Sequence, residues 1–375
     1  MSIAIVTTTI FPIQPFLSAY VDNIQKWGYK NEVAIYIAGD NKSSADSLDA
    51  ASQFKQMGFQ VRFLDIKWQR DYLSRFADLK AIIPENSDNR RNVAYLAALE
   101  DGAQTIISVD DDNFPDPEQD FIGQHLCVGK SVDLPEAIGM DGWYNLCSLL
   151  IPTRPDANLY PRGFPYWSRK DGTDFIGDIS SGKIAVNVGL WTLDPDTDAI
   201  GRLYARPHIS KWNGNEVILG QGIRTPINTQ NTALSRDAMI TYYYVCMGDL
   251  LRGMRLDRFG DIFSGYFLQL CADAVGNRIR IGSPVVEHRR NQHNLLLDLY
   301  NELAGIMIIE DLTSFLMNVE LPTNSMYDAY KSLSIKLEEF SVQQEGFIWD
   351  SDTKKFFHKV AKNMRIWADV VKGLG

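Results

Sequence analysis

The chain has 375 residues, of which 45% are hydrophobic and 22% are charged. These proportions are typical of a globular protein with a large core, and the length allows two domains or one large domain with an added region. The formal net charge of −10 provides no positive field that would recruit a nucleic-acid backbone. We therefore expect no nucleic-acid partner.

Membrane and redox features exclude further classes. No apolar run approaches the roughly 18 residues that a membrane-spanning helix needs, and the chain runs directly into an apolar strand with no signal-peptide pattern. The four cysteines are scattered and form no metal-binding pair: Cys127, Cys147, Cys246 and Cys271. They are typical of reduced thiols. The sequence favours a cytoplasmic protein without a transmembrane segment.

The first hundred residues alternate predicted strands and helices. Apolar runs bounded by turn formers predict strands over 3–7, 33–38, 60–64 and 105–109, and helical spacing predicts helices over 16–27, 45–57 and 92–99. This alternation is typical of a mainly parallel, Rossmann-like sheet. Thr7, Thr8 and Thr9 stand where a GxGxxG motif would follow the first strand, which disfavours a nicotinamide or flavin enzyme. A doubly wound domain with another ligand stays open.

Three consecutive aspartates, Asp110, Asp111 and Asp112, follow the strand over 105–109. Open α/β sheets bind their ligands at the carboxyl ends of strands. Three carboxylates crowd unfavourably unless a positive charge lies between them, and a hard divalent cation that also bridges phosphate oxygens suits that role. The triplet therefore predicts a metal–nucleotide site, a DXD motif. An acidic turn that caps the next helix is the alternative.

Arginines at two places are candidates for contacts to phosphate. Arg91 precedes the helix that leads to the aspartates and suits a bidentate contact to a metal-bound pyrophosphate. Arg162 and Arg169 lie seven residues apart in a loop that Pro and Gly make rigid. Arg162 suits neutralisation of a leaving diphosphate. Solvated surface arginines are the alternative in each case.

Two more residues have candidate roles in catalysis. Asp261 precedes a helix-like stretch over 262–270 and suits either a helix cap or a general base. His288 follows a β-rich run and suits either a neutral metal ligand or a hydrogen-bonded core residue.

The second half of the chain differs from the first in composition and in the spacing of its apolar residues. Residues 150–235 are rich in Gly, Pro and aromatic residues, with short predicted strands such as 184–191, and they indicate a mixed sheet with long loops. From about residue 295, helical spacing dominates, as in Phe356, Val360, Met364, Trp367 and Val371. We expect a domain over 1–295 with a helical region, 296–375, packed on it.

Together these segments resemble the reversibly glycosylated polypeptide family of plants, which includes the UDP-arabinopyranose mutases, and also the STELLO-type glycosyltransferases. The matching features follow in order: the aspartate triplet, the loop over 162–165 with Arg169, segments 189–191 and 194–199, Asn231 with 233–234, segment 258–265, and His288. The N-terminal half is nearer to the STELLO pattern, particularly 7–11, 39–40 and 91–95. The resemblance spans roughly residues 3–311.

The resemblance implies a GT-A-like nucleotide-sugar fold with a divalent metal, Mn²⁺ or Mg²⁺, at the aspartate motif. It also implies that Arg162 is the self-glycosylation position and that Arg169 is needed for activity. The chain departs from the plant pattern in one place. Gly260 stands where that family has the first of two acidic residues, and only Asp261 is acidic.

We therefore expect a metal-dependent glycosyltransferase that moves the sugar of a UDP-sugar donor to an acceptor hydroxyl. The expected catalytic residues are Asp261, Arg162 and Arg169. The expected substrate-binding residues are Thr7, Thr8, Asp40, Arg91, Asp110, Asp111 and Asn231. The expected metal ligands are Asp110, Asp112 and His288. A UDP-sugar pyranose–furanose mutase and a non-catalytic partner of a glycosyltransferase complex are the alternatives, and a homo-oligomer is compatible with the sequence.

Overall fold

A computed structural model describes residues 2–139, 141–154, 158–169, 174–291 and 294–374. Those residues form these strands: β1 (Ile3–Thr8), β2 (Val33–Ala38), β3 (Gln60–Leu64), β4 (Thr105–Val109), β5 (Asn113–Pro115), β6 (Ser131–Gly139), β7 (Leu150–Pro152), β8 (Asp174–Leu193), β9 (Ile209–Trp212), β10 (Val217–Leu219), β11 (Asn231–Ser235), β12 (Leu250–Leu251), β13 (Met254–Arg255) and β14 (Arg278–His288). They also form these α-helices: α1 (Gln14–Trp27), α2 (Ser47–Gln56), α3 (Ile66–Leu73), α4 (Ala77–Ile82), α5 (Arg91–Glu100), α6 (Phe121–His125), α7 (Ala199–Ala205), α8 (Gly260–Ala274), α9 (Leu295–Asn318), α10 (Met326–Gln343) and α11 (Ser351–Gly373).

The N-terminal half is a parallel sheet in the order β3-β2-β1-β4. Each of the four predicted strands is present, and every residue of β2 and β4 is buried. Strands that are apolar along their whole length are typical of a parallel sheet covered by helices on both faces. The prediction of a Rossmann-like half is confirmed.

The sheet becomes mixed beyond β4. β11 pairs antiparallel with β4 and with β8, and β14 runs parallel to β8. The carboxyl ends of β1, β4, β8 and β14 consequently meet at one edge, where β11 begins. This GT-A-like arrangement brings the aspartate turn and His288 to the same place, as the sequence led us to expect.

The strand predicted over 184–191 proves to be much longer. β8 extends from Asp174 to Leu193 because its first half pairs with β6, whereas its second half lies between β11 and β14. The first half is half-buried to exposed, and glycine and polar residues interrupt its few apolar ones, so it lacks the continuous apolar run that marked the second half.

The C-terminal region is helical, as predicted, and packs on the sheet domain. All five residues that set the predicted helical spacing are buried in α11. Trp367 is fully buried, and its indole Nε1 donates a hydrogen bond to the carbonyl of Met239 at 2.8 Å. None of the helices within the described residues combines the length and the apolar character that crossing a bilayer requires. The domain boundary at residue 295 stays a prediction.

This packing predicts a large difference between two tryptophan substitutions. Trp367→Ala should lower the free energy of unfolding by about 3–5 kcal/mol, because it leaves a cavity between α11 and the sheet domain. Trp167→Ala is the matched control, since Trp167 is 79% exposed, and its effect should stay below about 0.5 kcal/mol. Urea unfolding followed by circular dichroism measures both. Equal losses would contradict the docking of α11.

Candidate active site

The aspartate turn after β4 directs its three side chains to different partners. Oδ1 of Asp110 accepts a hydrogen bond from Nη2 of Arg91 at 2.6 Å. Asp111 accepts one from a hydroxyl on the loop after β1, and burial together with the neighbouring aspartates raises its pKa to about 6. Oδ2 of Asp112 lies 3.4 Å from Nε2 of His288. Separate partners are what three adjacent like charges require.

Two neighbouring cavities adjoin this turn. The larger cavity, about 300 Å³, lies at the ends of β1 and β2 and is lined by Thr8, Asp40 and Asp111 among others. The smaller cavity, about 190 Å³, holds most of the charged residues of the site: Asp110, Asp112, Arg162, Arg258, Asp261, His288 and Arg290. Asp88 lines both cavities, so the two cavities lie next to each other.

Arg91 is directed to the turn itself. It is buried, and its Nη1 donates to Oγ of Ser108 at 2.9 Å and to the carbonyl of Val109 at 3.2 Å. Burial opposes its charge, but Asp110 holds the pKa of Arg91 above its ordinary value. Arg91 therefore fixes Asp110 in place, and its predicted contact to a diphosphate stays a prediction.

Asp112 and His288 have the geometry of a partial metal site. Nδ1 of His288 is 2.6 Å from the carbonyl of Asp194, so it donates there and directs Nε2 toward Asp112. A metal-ligating histidine commonly donates its other ring N–H to a backbone carbonyl. Burial opposes the charge of Asp112, but His288 holds the pKa of Asp112 below its ordinary value. This pair fits a hard divalent cation.

A complete metal site is not assembled. Within the described residues, no three His, Cys, Asp or Glu side chains are grouped closely enough to hold a metal ion. Asp110 lines the same cavity as Asp112 and His288, but one of its oxygens is bonded to Arg91 and to the hydroxyl of Thr229. Metal binding by these residues therefore stays a prediction.

Arg162 lies at the centre of a buried ion cluster. Its Nε and Nη2 donate to Asp196 at 3.0 and 2.9 Å, and its Nη1 and Nη2 donate to Asp261 at 3.1 and 3.0 Å. None of the three residues is more than 6% exposed. Burial opposes the charge, but the two aspartates hold the pKa of Arg162 well above its ordinary value. The guanidinium is thus a fixed cation.

The two carboxylates on Arg162 differ in basicity. Burial opposes the charge of Asp196, but Arg162 and the amide of Asn228 hold its pKa well below its ordinary value. Burial raises the pKa of Asp261, and the attraction of Arg162 offsets this only in part. Two neighbouring carboxyl groups whose pKa values are shifted in opposite directions are candidates for different roles. Asp261, with the higher pKa, is the more basic of the two.

Two further arginines line the smaller cavity. Nε of Arg258 donates to Glu302 at 2.8 Å, and Nη2 of Arg290 donates to Asp298 at 3.1 Å. Burial, together with the positive charges of Arg202 and Arg258, lowers the pKa of Arg290 to about 10. Its Nε is buried without a hydrogen-bond partner among the described residues. This part of the cavity therefore offers an unused donor to an acceptor atom of a ligand.

Arg258 also has an unusual backbone. Its φ of 61° lies in the left-handed region, which costs a non-glycine residue on the order of 1–3 kcal/mol. The guanidinium of Arg162 donates to the Arg258 carbonyl, and Glu302 holds the Arg258 side chain. These contacts keep Arg258 at the cavity.

Several predicted site residues form mainly structural contacts. Asn231 is fully buried, and its amide donates to two backbone carbonyls at 3.0 and 2.8 Å, so it lines neither cavity. Arg169 lies over the ring of Tyr166 and bonds Asp198, and residues 170–172, which follow it in the predicted loop, lie outside the described residues. Thr7 is buried within β1.

Thr8 and Asp40 do reach the larger cavity. The hydroxyl of Thr8 donates to the carbonyl of Ala38 at 2.9 Å. The carboxylate of Asp40 accepts the backbone N–H groups of Asn86 and Ser87, each at 2.9 Å. Asp40 thus holds the loop before α5 against the cavity. Ligand binding by these residues stays a prediction.

A family model described as reversibly glycosylated polypeptide matches residues 83–375, which is more than half of the chain. The chain belongs to the reversibly glycosylated polypeptide family. The match begins after β3 and includes the aspartate turn, Arg162, Asp261, His288 and the C-terminal helices.

The relatives within this family are plant proteins. The chain is 27% identical over 224 residues to UDP-arabinopyranose mutase 1 of Oryza sativa subsp. japonica, covering 59% of this chain and 56% of that protein. It is 25% identical over 277 residues to probable UDP-arabinopyranose mutase 2 of Solanum tuberosum, covering 70% of this chain and 66% of that protein. This family member therefore spans less than two thirds of the length of these relatives.

Solved structures resemble the chain more distantly. Glucosyl-3-phosphoglycerate synthase from Mycobacterium tuberculosis in complex with Mg²⁺ and UDP is 12% identical, with a TM-score of 0.38 over 82% of this chain and 79% of that one. A mycobacterial protein is 13% identical, with a TM-score of 0.40 over 82% of this chain and 74% of that one. Likeness at this level says nothing about the activity of the present protein.

Sequence reasoning missed several residues that line this family member's smaller cavity, and three of them are Arg290, Arg258 and Gln230. Arg290 comes two positions after His288 at the end of β14. Arg258 belongs to the segment 258–265, from which only Asp261 was predicted as a site residue. Gln230 directly precedes Asn231. Their positions could have identified them, because all three lie next to the end of a strand or the start of a helix, at the edge of the sheet where ligands bind.

The buried ion cluster predicts that Arg162 is essential for stability. Arg162→Ala leaves the carboxylates of Asp196 and Asp261 without their partner and should cost about 3–5 kcal/mol of unfolding free energy at pH 7. Arg75→Ala removes an exposed ion pair with Glu100 and is the control, with a much smaller expected loss. Urea denaturation of the three proteins measures the losses.

The same variant has a predicted pH dependence. The lowered pKa of Asp196 stabilises the wild type above the unfolded-state pKa of about 3.9, and this contribution disappears as the pH falls through the folded value. In Arg162→Ala the pKa values of both carboxyl groups should rise above the unfolded-state value. Protonation in acid then removes the free-energy cost of burying their charges. The difference in unfolding free energy between wild type and Arg162→Ala should therefore become smaller as the pH falls from about 7 to about 3. A constant gap, or one that widens in acid, would contradict the ion cluster.

Proposed function

We propose that this chain is an enzyme that binds a UDP-sugar and breaks the bond between the anomeric carbon of the sugar and the diphosphate. The observation that carries the proposal is the smaller cavity, in which the Asp112–His288 pair, Arg258 and the incompletely paired Arg290 converge next to the aspartate turn. The larger cavity at the ends of β1 and β2 would take the nucleoside. Membership of the family supports this assignment.

A divalent cation, Mn²⁺ or Mg²⁺, is part of the proposal. Asp112 and His288 would hold it, with Asp110 as a further ligand. When bound, such an ion supplies positive charge that stabilises the departing diphosphate. Nε2 of His288 is already directed toward Asp112, which supports this ligand set.

The protein supplies positive charge of its own for the same purpose. Arg258 and Arg290 line the cavity and are held there by Glu302 and Asp298 of α9. Donors that are already in position where negative charge develops are the most effective form of electrostatic catalysis. We therefore assign these two arginines to the leaving diphosphate, in addition to the predicted Arg162.

Arg162 itself suits the role of a fixed cation better than that of a sugar acceptor. A guanidinium nucleophile has to give up a proton, and the two aspartates stabilise the protonated form of Arg162. Its guanidinium donates to both of them and to the carbonyl of Arg258. Self-glycosylation at Arg162, which the family resemblance implies, has no support in this geometry.

Two fates of the sugar remain, each favoured by one observation. The raised pKa of Asp261 at the cavity favours transfer to an outside hydroxyl, which requires a general base. The relatives named as UDP-arabinopyranose mutases favour isomerisation between pyranose and furanose forms, in which the sugar returns to its own diphosphate. We propose transfer as the first candidate and isomerisation as the second.

The metal assignment predicts that UDP and Mn²⁺ stabilise the protein jointly. A ligand that binds only the native state raises its stability, by about 2.7 kcal/mol at a hundred times the Kd. The thermal shift with UDP should therefore be much larger with Mn²⁺ than with EDTA, and Asp112→Ala should remove the difference. Asp22→Ala, on the exposed side of α1, is the control and should behave as wild type. An equal UDP shift in EDTA would refute metal bridging.

Asp261→Asn separates transfer from isomerisation. The amide keeps the shape of the carboxylate but cannot accept a proton, so acceptor glycosylation should fall by about 10²–10⁴-fold while UDP binding is retained. Asp257→Asn is the control, because Asp257 lines the same cavity and its carboxylate bonds Arg255. Chromatography of UDP-arabinose and of candidate acceptors follows both reactions. If wild type and Asp261→Asn interconvert ring forms equally well without an acceptor, the enzyme is a mutase.

A further inference from the structure

Gln230 lines the smaller cavity, and the oxygen of its carboxamide has no partner among the described residues. The residue is 6% exposed, and its Oε1 is buried without a hydrogen-bond partner among the described residues. Its backbone N–H, in contrast, donates to the side chain of Asn228 at 3.2 Å. A buried carboxamide that lacks partners costs on the order of 1–3 kcal/mol, so such a group at a cavity wall points to a ligand.

The segment that carries Gln230 is held firmly in place. The amide of Asn228 donates to Asp196 at 2.8 Å, and the hydroxyl of Thr229 donates to Asp110 at 3.2 Å. Asn231 is fixed inside the sheet by two backbone carbonyls. The side chains on both sides of Gln230 are therefore hydrogen-bonded within the protein. Among residues 228–231, all of which the structure describes, Gln230 carries the buried side-chain atom without a partner.

We propose that the carboxamide of Gln230 binds a hydroxyl group of the donor sugar and thereby determines which UDP-sugar the chain accepts. The inference rests on the proposed function, because it assumes that a UDP-sugar occupies the two cavities. It adds a specificity-determining residue that is independent of the metal and of the leaving-group chemistry.

The chemistry of the group favours a hydroxyl over a phosphate. A carboxamide offers a donor and an acceptor side by side, and a half-turn of the amide exchanges them. A sugar hydroxyl also donates and accepts, so it satisfies either end. A diphosphate only accepts hydrogen bonds, and the cavity already provides Arg258 and Arg290 for it. The remaining polar group therefore suits the neutral part of the ligand.

Gln230→Met tests this assignment, since methionine has a similar length and shape but forms no strong hydrogen bonds. Calorimetry with Mn²⁺ gives the Kd values of UDP, UDP-glucose, UDP-galactose and UDP-arabinopyranose for wild type and variant. We expect UDP to bind both proteins within about threefold. The extra affinity of the best UDP-sugar over UDP should fall by about tenfold or more in the variant.

Gln124→Met is the matched control. The Oε1 of Gln124 is likewise buried without a partner among the described residues, but Gln124 lines neither cavity, so this variant should keep the wild-type ratio of UDP-sugar to UDP affinity. If Gln230→Met does not fold, Gln230→Ala provides the same comparison. Retained UDP binding shows that a variant is folded at the site.

Deoxy analogues of the best UDP-sugar identify the hydroxyl. In wild type, removal of the hydroxyl that Gln230 binds should weaken binding by about tenfold or more, whereas Gln230→Met should be indifferent to that removal. Equal losses in both proteins for every deoxy sugar, or an unchanged ratio of UDP-sugar to UDP affinity in Gln230→Met, would overturn the assignment alone. Wild type that binds no UDP would overturn the proposed function and this inference with it.

Discussion

Arg162 is held between Asp196 and Asp261, and this buried cluster joins three distant parts of the chain: the loop before β8, the turn after β8, and the start of α8. Two carboxylates and one guanidinium leave a net negative charge inside the protein. Such a cluster persists only when further positive charge lies close by. Arg258 contributes to that charge, because together with Arg162 it holds the pKa of Asp196 below its ordinary value while Glu302 holds its side chain, so the fold of the second half and the electrostatics of the site depend on each other.

The C-terminal helices take part in this balance. Glu302 and Asp298, in the first two turns of α9, hold the arginines that face the cavity, and the second oxygen of Glu302 accepts the N–H of Ala199 at the start of α7. α9 therefore anchors the site as well as covering the sheet. A helix that follows the last strand can influence the reaction through the arginines that it positions.

The parts that the sequence predicted well are those with a local signal. Continuous apolar runs identified β1 to β4, and the aspartate triplet identified the turn after β4. The exposed half of β8 carried no apolar run and was missed. A local pattern also could not predict which side chains contact each other. Asn231 and Gln230 are neighbours in the chain, but the pairing of β11 with β4 and β8 determines that Asn231 enters the sheet and that Gln230 lines the cavity. Arg91 was placed correctly near the aspartates, yet its hydrogen bonds to β4 depend on a close approach that spacing does not encode.

Some polar groups of the site are bonded to the protein, and others lack a partner in the described part of the chain. Arg162 and Asp196 are paired with each other, and Nη2 of Arg91 is bonded to Asp110, so these groups hold the geometry of the cavity without reorganising when a ligand binds. Nε of Arg290 and the carboxamide of Gln230 lack partners among the described residues. Because a buried polar group without a partner is unfavourable, a ligand that brings an acceptor to Arg290 and a hydroxyl donor to Gln230 would be stabilised at these two places. The proposed ligand, a sugar joined to a diphosphate, has both kinds of group, and this holds whether the sugar then leaves for another hydroxyl or returns to its own diphosphate.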